Sequence, residues 1–434
     1  MKINVSKNLN ELSNLFQQNG HPLYIVGGYV RNAVLGFCET DIDLCGSATP
    51  SEIMNIVPKN MYNIEIVNKK LGTMHLHSKY NDEVYEYTTF RAENYLPGGK
   101  HSPTTVEFVR DITQDARRRD FSANAIYYDI FNDKIIDFYN GVDDTRHHIL
   151  RTVETPEFVF KSDGLRMLRL VRIACELGFK IDKTSLETAK NMIKNLKDIS
   201  KERFNKEILS VLFADYKYSS IKTTDAHIKG VKYLSYMGAW PYIFEKLFSV
   251  YNLAPNKKLK QNWYAMLQKS TAGYRVCAFC IDFLNALGVP IKKESITLIL
   301  GQEGLALNKK QVYEYTRIIL GYLDVLGGFA SNDQKRMFVQ KNISIIDDII
   351  GLVDITASAQ DLKVLKNIMI VDKVPLTLKD LAINGDDIKK NFPDLPKNQY
   401  SQVLDHLLHL CCIAPELNVR KSLIDIISKY TNIK

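Results

Sequence analysis

Two aspartates, Asp41 and Asp43, alternate with Ile42 and Leu44 in the stretch TDIDL. Residues two apart on a strand project from one face, so both carboxylates can reach a single point. Paired oxygen ligands suit Mg²⁺, which keeps waters and takes substrate phosphates at its remaining positions. An isolated Asp-x-Asp is more often two solvated carboxylates, so the neighbours decide. Gly27 and Gly28 follow the apolar run LYIV and open a helical stretch. A glycine pair there admits close backbone approach, and a helix N-terminus favours an anion. Arg31, one turn on, has the reach to hold a phosphate. The pattern carries no Gly-Lys-Ser/Thr, as a Walker A loop would, and no GxGxxG.

Glu86, in VYEYTTFR, offers a third carboxylate, although a half-buried structural glutamate accounts for it equally well. Arg117, Arg118 and Arg119 precede Asp120. As an exposed run they are ordinary; joined to the apolar FSANAIYY they read as an ordered phosphate-contact turn. Asp163, Arg166, Arg169 and Arg172 are spaced by three, which lines them on one helix face. Ion pairs on a solvated face are the plain explanation. Hydrogen-bond geometry offers another: cytosine and adenine present an exocyclic amine beside a ring-nitrogen acceptor, and Asp accepts from the one while Arg donates to the other. Uracil and guanine reverse that order, so an Asp163/Arg166 pair would admit C and A and reject U and G.

These groups need positioning elements. LYIVGG reads as a buried strand, YVRNAVLG as a short helix stopped by Gly36, and TDIDLCG as a second strand. IEIVN, GTMHLHS and EVYEYTTFRAE read as further strands, and AIYYDIFNDKIIDFYNG as a hairpin about Asn132 and Asp133. Residues 92–103, with Pro97, Gly98, Gly99 and Pro103, read as a mobile loop. After about residue 152 the pattern turns helical, beginning with SDGLRMLRLVRIACELGF and its stop at Gly178. The order is an α/β head and then a long helical remainder, with breaks expected near 217–224, 254–258 and 331–333.

The chain has 434 residues, 45% of them hydrophobic, which supports two to four domains with real cores. Its net charge of +8 is compatible with a polyanionic partner and proves none. The seven cysteines are irregularly spaced, a poor disulfide framework that fits a reducing cytosol. Cys277 and Cys280 stand alone as a CxxC and read as helix-face thiols, and Cys411 and Cys412 as core. The N-terminal residues show no apolar signal core, and no run is long and apolar enough to span a membrane.

The motifs GGYVRNAVLG…TDIDL, YEYTTFRAE, RRDFSANA, NGVDDTRHHILRTV, DGLRMLRLVRIACELGF and KERFNKEIL follow one another from about residue 23 to 210. In that order they resemble the class II tRNA nucleotidyltransferase and bacterial poly(A) polymerase family. LTLKDLAINGDDI, 376–388, is similar to the C-terminal region of CCA-adding enzymes from Gram-positive bacteria. The resemblance implies an α+β fold class: a polymerase β-like nucleotidyltransferase head with a mixed sheet, followed by all-helical neck, body and tail domains. The implied spans are 1–151 for the catalytic head, 152–215 for a nucleotide-recognising neck, 216–355 for the body and 356–434 for a tRNA-binding tail.

The implied activity is template-independent addition of C, C and A to the tRNA 3′ end from CTP and ATP, with two Mg²⁺ ions and release of pyrophosphate. The implied setting is cytoplasmic, without membrane or protein partner. By position, Asp41 and Asp43 match the metal-binding catalytic carboxylates and Glu86 the third acidic position. Gly28, Arg31 and Arg118 match nucleotide-phosphate contacts, with Gly27 and Asn124 as further nucleotide-binding positions. Asp163, Arg166, Arg169 and Arg172 match the recognition helix, and 92–103 the loop needed for the terminal A.

The sequence departs from the family pattern at Asn32 (usually Asp), Ser122 (Thr), Ser162 (Glu), Gly164 (Pro), in the loop PGGKHSP and after LAINGDDI. Within the enzyme class the alternatives are a poly(A) polymerase or a CC-only or A-only enzyme. Outside it stands a non-catalytic RNA-binding relative, against which Asp41, Asp43, Asp163 and Arg166 weigh.

Overall fold

The first helix of the chain begins where Ser6 turns its hydroxyl onto the Leu9 N–H at 3.2 Å, and it buries Leu9, Leu12 and Phe16 at helical spacing. The structure is a computed structural model describing residues 3–37, 41–94, 104–260 and 262–431. It divides into two compact units, Met1–Lys258 with Gln302–Ala306, and Leu259–Gly301 with Leu307–Lys434.

In the first unit that helix, α1 (Lys7–Gln18), is followed by β1 (Leu23–Val26), α2 (Gly28–Val34), β2 (Asp43–Gly46) and α3 (Pro50–Ile56). Then come β3 (Tyr62–Asn68), β4 (Thr73–Ser78), β5 (Val84–Thr89), β6 (Arg91–Asn94), β7 (Thr105–Phe108), α4 (Ile112–Arg117), β8 (Ile126–Asp129) and β9 (Lys134–Asp137). Seven strands form one mixed sheet in the order β3-β4-β5-β2-β1-β8-β9. β2 and β5 run parallel, while the other neighbours are antiparallel. β6 and β7 form a separate two-stranded sheet.

The two faces of the large sheet are covered unequally. On one face Leu23, Ile25, Leu44, Met74, Leu76, Tyr85, Tyr87, Ile126 and Tyr128 join Leu9, Leu12 and Phe16 of α1 and Ile53 of α3 in a continuous core. Each such side chain contributes about 1.5–3 kcal/mol on burial. The other face carries a smaller cluster at its centre, made of Val26, Cys45, Phe90, Ala116 and Tyr127. Toward β5, β4 and β3 this second face becomes polar, with Glu86 and Glu65 exposed and His75 and His77 half-buried.

Beyond the sheet lie α5 (Gly141–Arg146), β10 (Ile149–Leu150), α6 (Pro156–Ser162), α7 (Arg166–Leu177), β11 (Lys180–Ile181), α8 (Lys183–Met192), α9 (Lys201–Leu212) and α10 (Ala226–Met237). α7 is almost wholly buried and ends at Gly178, whose φ of 70° is the left-handed conformation that favours glycine. The second unit is helical. Its helix Arg275–Leu287 is buried along nearly its whole length, Cys277 and Cys280 included. At its C-terminal end Ile383, Ile388, Leu407, Leu423 and Ile427 form a local core.

Four local expectations are corrected. β2 starts at Asp43, so Asp41 precedes the strand. EVYEYTTFRAE is two strands of different sheets, divided at Phe90, which turns into the smaller core. The arginine run closes α4 and its cap and is no turn leading into a strand. Asp163 is extended, with φ −149° and ψ 109°, and α7 begins only at Arg166. Of the expected loop, residues 92–94 belong to β6, and 95–103 lie outside the described residues. Among the described residues no helix is long and apolar enough to cross a membrane.

Candidate active site

Asp43 opens β2 on the sparsely covered face and stands across from Val26 on one side and Glu86 on the other. Its carboxyl is pushed up to about 6, first by burial, then by Glu86, with Arg119 opposing and Asp41 adding to the rise. The side chain faces water at the mouth of the site while protein crowds it from the sides. Three carboxylates therefore share one small region, an arrangement of hard oxygen donors that a divalent cation would relieve of its mutual repulsion.

Gly27 caps α2 at φ 78° and ψ −131°, where an L side chain is strained. A Cβ built there would stand 3.9 Å from Asp43 Oδ2, 3.8 Å from the Asn124 carbonyl oxygen and 4.0 Å from Arg119 Nη1. The glycine thus keeps open a small space walled by a carboxylate and a guanidinium. Gly28 is the first residue of α2.

Asp115, fully buried, holds the arginine run. Its Oδ1 accepts from Arg118 at 2.8 and 2.6 Å, and its Oδ2 from Arg119 at 3.2 and 3.0 Å and from the Tyr127 hydroxyl at 2.7 Å. Burial pushes this carboxyl up, but Arg118, Arg119 and Tyr127 more than reverse that and hold it well below the usual carboxylate range. Arg119 also lies over the Tyr127 ring, 5.1 Å from its centroid.

Arg31 is buried inside the fold. Its Nη1 donates to Asn124 Oδ1 at 2.6 Å, its Nε and Nη2 donate to Asn32 Oδ1 at 3.0 and 2.8 Å, and its Nη2 donates to the Tyr218 hydroxyl at 3.1 Å. Burial draws this guanidinium below its ordinary value, with Tyr218, Glu176 and Asp120 opposing. Asn124 passes the link on: its Nδ2 donates to Asp120 Oδ1 at 3.1 Å, and Asp120 Oδ2 accepts from Arg169 at 2.9 and 2.6 Å. A polar chain thus runs Tyr218–Arg31–Asn124–Asp120–Arg169. Arg172 stands apart from it, engaged by Glu207 at 2.6 Å and Glu176 at 3.0 Å.

Beside the arginine run opens a cleft of about 710 Å³, within the range of small-ligand sites. Arg118, Asp163, Arg166 and Arg169 line it, as do Arg119, Asp120 and Arg203. Seven basic side chains against three acidic ones give its wall a positive balance. Arg166 donates to the carbonyl oxygens of Arg118 at 2.6 Å and Arg119 at 3.4 Å, and to Ser162 Oγ at 3.0 Å. Asp163 accepts from Arg203 at 3.0 Å and from the Leu165 N–H at 3.0 Å.

The sequence reading missed Asp115 and Arg203. The first was visible as an acid three and four residues before Arg118 and Arg119. The second sits in KERFNKEIL, with nothing in the sequence to show that α9 crosses to Asp163. Two departures from the family pattern, Asn32 and Ser162, each set a neutral group against a site arginine, Arg31 and Arg166 respectively.

A family model described as "Poly A polymerase head domain" matches residues 23–151. A CCA-adding enzyme from Staphylococcus aureus is 30% identical over 381 residues, 85% of this chain and 84% of its own length. The crystal structure of the Bacillus stearothermophilus CCA-adding enzyme in complex with CTP superposes with a TM-score of 0.71 at 22% identity, covering 99% of each chain. The Thermotoga maritima CCA-adding enzyme complexed with tRNA gives a TM-score of 0.62 at 15% identity, covering 98% of this chain and 96% of that one.

Proposed function

The chain belongs to the CCA-adding enzyme family and is a tRNA nucleotidyltransferase; from that premise we propose that it adds C, C and A, without a nucleic-acid template, to the 3′ end of tRNA from CTP and ATP and releases pyrophosphate. The observation that carries the reading is the convergence of Asp43 and Glu86 across β2 and β5, with Gly27 and Arg119 beside them.

In this reading Asp41 and Asp43, with Glu86 next to them, hold Mg²⁺, to which their hard oxygens are suited. When bound, the metal, two ions in this family's expected chemistry, supplies the Lewis acid that makes the RNA hydroxyl a nucleophile and neutralises the triphosphate. The chain's own residues do the positioning that dominates such a transfer. Gly27 leaves room for the nucleotide backbone; Arg118 and Arg119, held in place by Asp115, face its phosphates. Arg31 and Asn124 fix the glycine turn against Asp120 and Arg169. Asp163 and Arg166, in the cleft wall, present an acceptor and donors to the base edge, and C and A match that order. Arg172 acts at one remove, bracing α7 through Glu207 and Glu176.

We assign the head to 1–151, the nucleotide-recognising neck to 152–215, the body to 216–355 and the tail that grips tRNA to 356–434. Recognition by the tail would run through phosphates and shape, as an enzyme serving many tRNAs requires. The Bacillus and Thermotoga relatives, seen with CTP and with tRNA, support this substrate pair.

The test is incubation with tRNA lacking its 3′ end and with CTP, ATP or both, the product being read at nucleotide resolution. One to three added nucleotides ending in A are expected. A long run of A would overturn the reading in favour of a poly(A) polymerase, which the matched head family also allows.

A further inference from the structure

The register of four strands sets a second group of ligating side chains on the open face of the sheet. Glu65 of β3 stands across from His75 of β4, and His75 across from Glu86 of β5. Directly paired residues project from the same face, and His77, two residues after His75, shares it. The row therefore runs Glu65–His75–Glu86–Asp43, with His77 beside Glu65. Neither the polymerisation reading nor the family resemblance uses its outer members.

We propose that Glu65, His75 and His77 form a binding site for a transition-metal dication of the zinc class. One ligand atom from each of the three lies within 4.8 Å of the other two. His77 Nε2 is 3.3 Å and His75 Nδ1 3.7 Å from Glu65 Oε2. Ligands at the usual zinc distances in a tetrahedron stand roughly 3.3 Å apart, so small side-chain rotations complete the set. Two imidazoles and one carboxylate favour zinc, cobalt or nickel over Mg²⁺, which prefers an all-oxygen shell. The strands are rigidly paired, the flanking Met74 and Leu76 are buried in the core, and the three side chains are open to solvent, so an ion has both a fixed frame and an entry path.

The other nitrogen of His75 sets the site's neighbourhood. Its Nε2 is 3.8 Å from Glu86 Oε2. A metal on Nδ1 leaves the ring proton on Nε2, facing that carboxylate, the metal–histidine–carboxylate arrangement that orients both groups. Only this link to Glu86 rests on the proposed function; the binding does not.

The test titrates the full-length protein with Co²⁺ in a large excess of Mg²⁺, following the visible absorption of bound cobalt. One equivalent is expected, displaced by Zn²⁺. His77→Ala at a half-buried position and Glu65→Gln at an exposed one should each weaken binding by at least about 10-fold. Asp43→Asn should leave the cobalt bound. Wild-type binding of no cobalt, equal binding by His77→Ala and Glu65→Gln, or loss of the cobalt in Asp43→Asn would each overturn the site, the last by assigning the ion to Asp41 and Asp43. None of these outcomes depends on which nucleotides the enzyme adds.

Discussion

Asp43 and Glu86 face each other across the one parallel pair in the sheet, β2 against β5, and Glu86 adds to the burial that makes Asp43 harder to ionise. Desolvation of the charge is the larger part of the cost and the neighbouring carboxylate the smaller. The folded protein holds the Asp43 carboxyl at about 6, above its unfolded value of about 3.9. Stability from the protonated form is fully present below the unfolded value and is lost as pH rises through about 6. Ionised Asp43 is therefore a burden at pH 7 when no metal is bound. Asp43→Asn should cut nucleotide incorporation at least about 100-fold, yet its Tm in metal-free buffer at pH 7 should be no lower than that of the wild type. The Tm difference should shrink as pH falls from 6 toward 4. A variant that is both inactive and clearly less stable would point to a structural role.

Asp115 is the reverse case. It is fully buried, and it neutralises two arginines that line the cleft. Asp115→Ala leaves both guanidinium groups without that partner, which for a buried pair costs about 3–5 kcal/mol. The expected result is a large loss of urea resistance together with weaker CTP and ATP binding, measured by equilibrium denaturation and by calorimetry. Asp115→Asn, which preserves shape and removes charge, should fall between the wild type and alanine.

Asn32 sits wholly inside the head with its oxygen on Arg31, while its Nδ2 is buried without an acceptor. Asn32→Asp would remove the unsatisfied donor and give Arg31 a charged partner, a gain of about 1–2 kcal/mol. Thermal unfolding should shift up by a few degrees. A fall in Tm would show that the added charge is less well tolerated than the orphan donor.

How much of this was legible beforehand varied with the range of the interaction. The strand–glycine–helix unit around Gly27 could be read because glycine and helix-stop signals are local. The AIYYDIFNDKIIDFYNG hairpin was equally plain, and Asp133 at its tip has the positive φ of a tight turn. Asp163 was misplaced onto α7 because its spacing to Arg166 continues the helical period; the extended conformation there shows only in three dimensions. The arginines could be found, and Asp115 stood at helical spacing from two of them, but the distant partners could not. Asn124 reaches Arg31 across 93 positions and Arg169 reaches Asp120 across 49, and no pattern in one chain marks such pairs. The Glu65–His75–Glu86 row likewise depends on the register of three strands, which alternation alone does not set.

Arg166 has a double attachment, holding the carbonyl oxygens of Arg118 and Arg119 while lining the cleft. Arg166→Ala should raise UTP incorporation relative to CTP by about 10-fold or more, because a site built to donate one hydrogen bond discriminates through it. Single-nucleotide incorporation with each of the four triphosphates measures this. Unchanged rejection of UTP would limit Arg166 to holding the arginine run.

The chain of bonds from Tyr218 through Arg31, Asn124 and Asp120 to Arg169 bears on modularity. A head ended at residue 151 would lose Tyr218 and Arg169 together, leaving a buried cation and a buried carboxylate each short of a partner. Exchange of parts with a relative should therefore succeed near Lys258, where the long segment of that compact unit ends, and fail at the edge of the sheet. In this molecule the piece that can be inherited as one is larger than the piece that carries Asp41, Asp43 and Glu86.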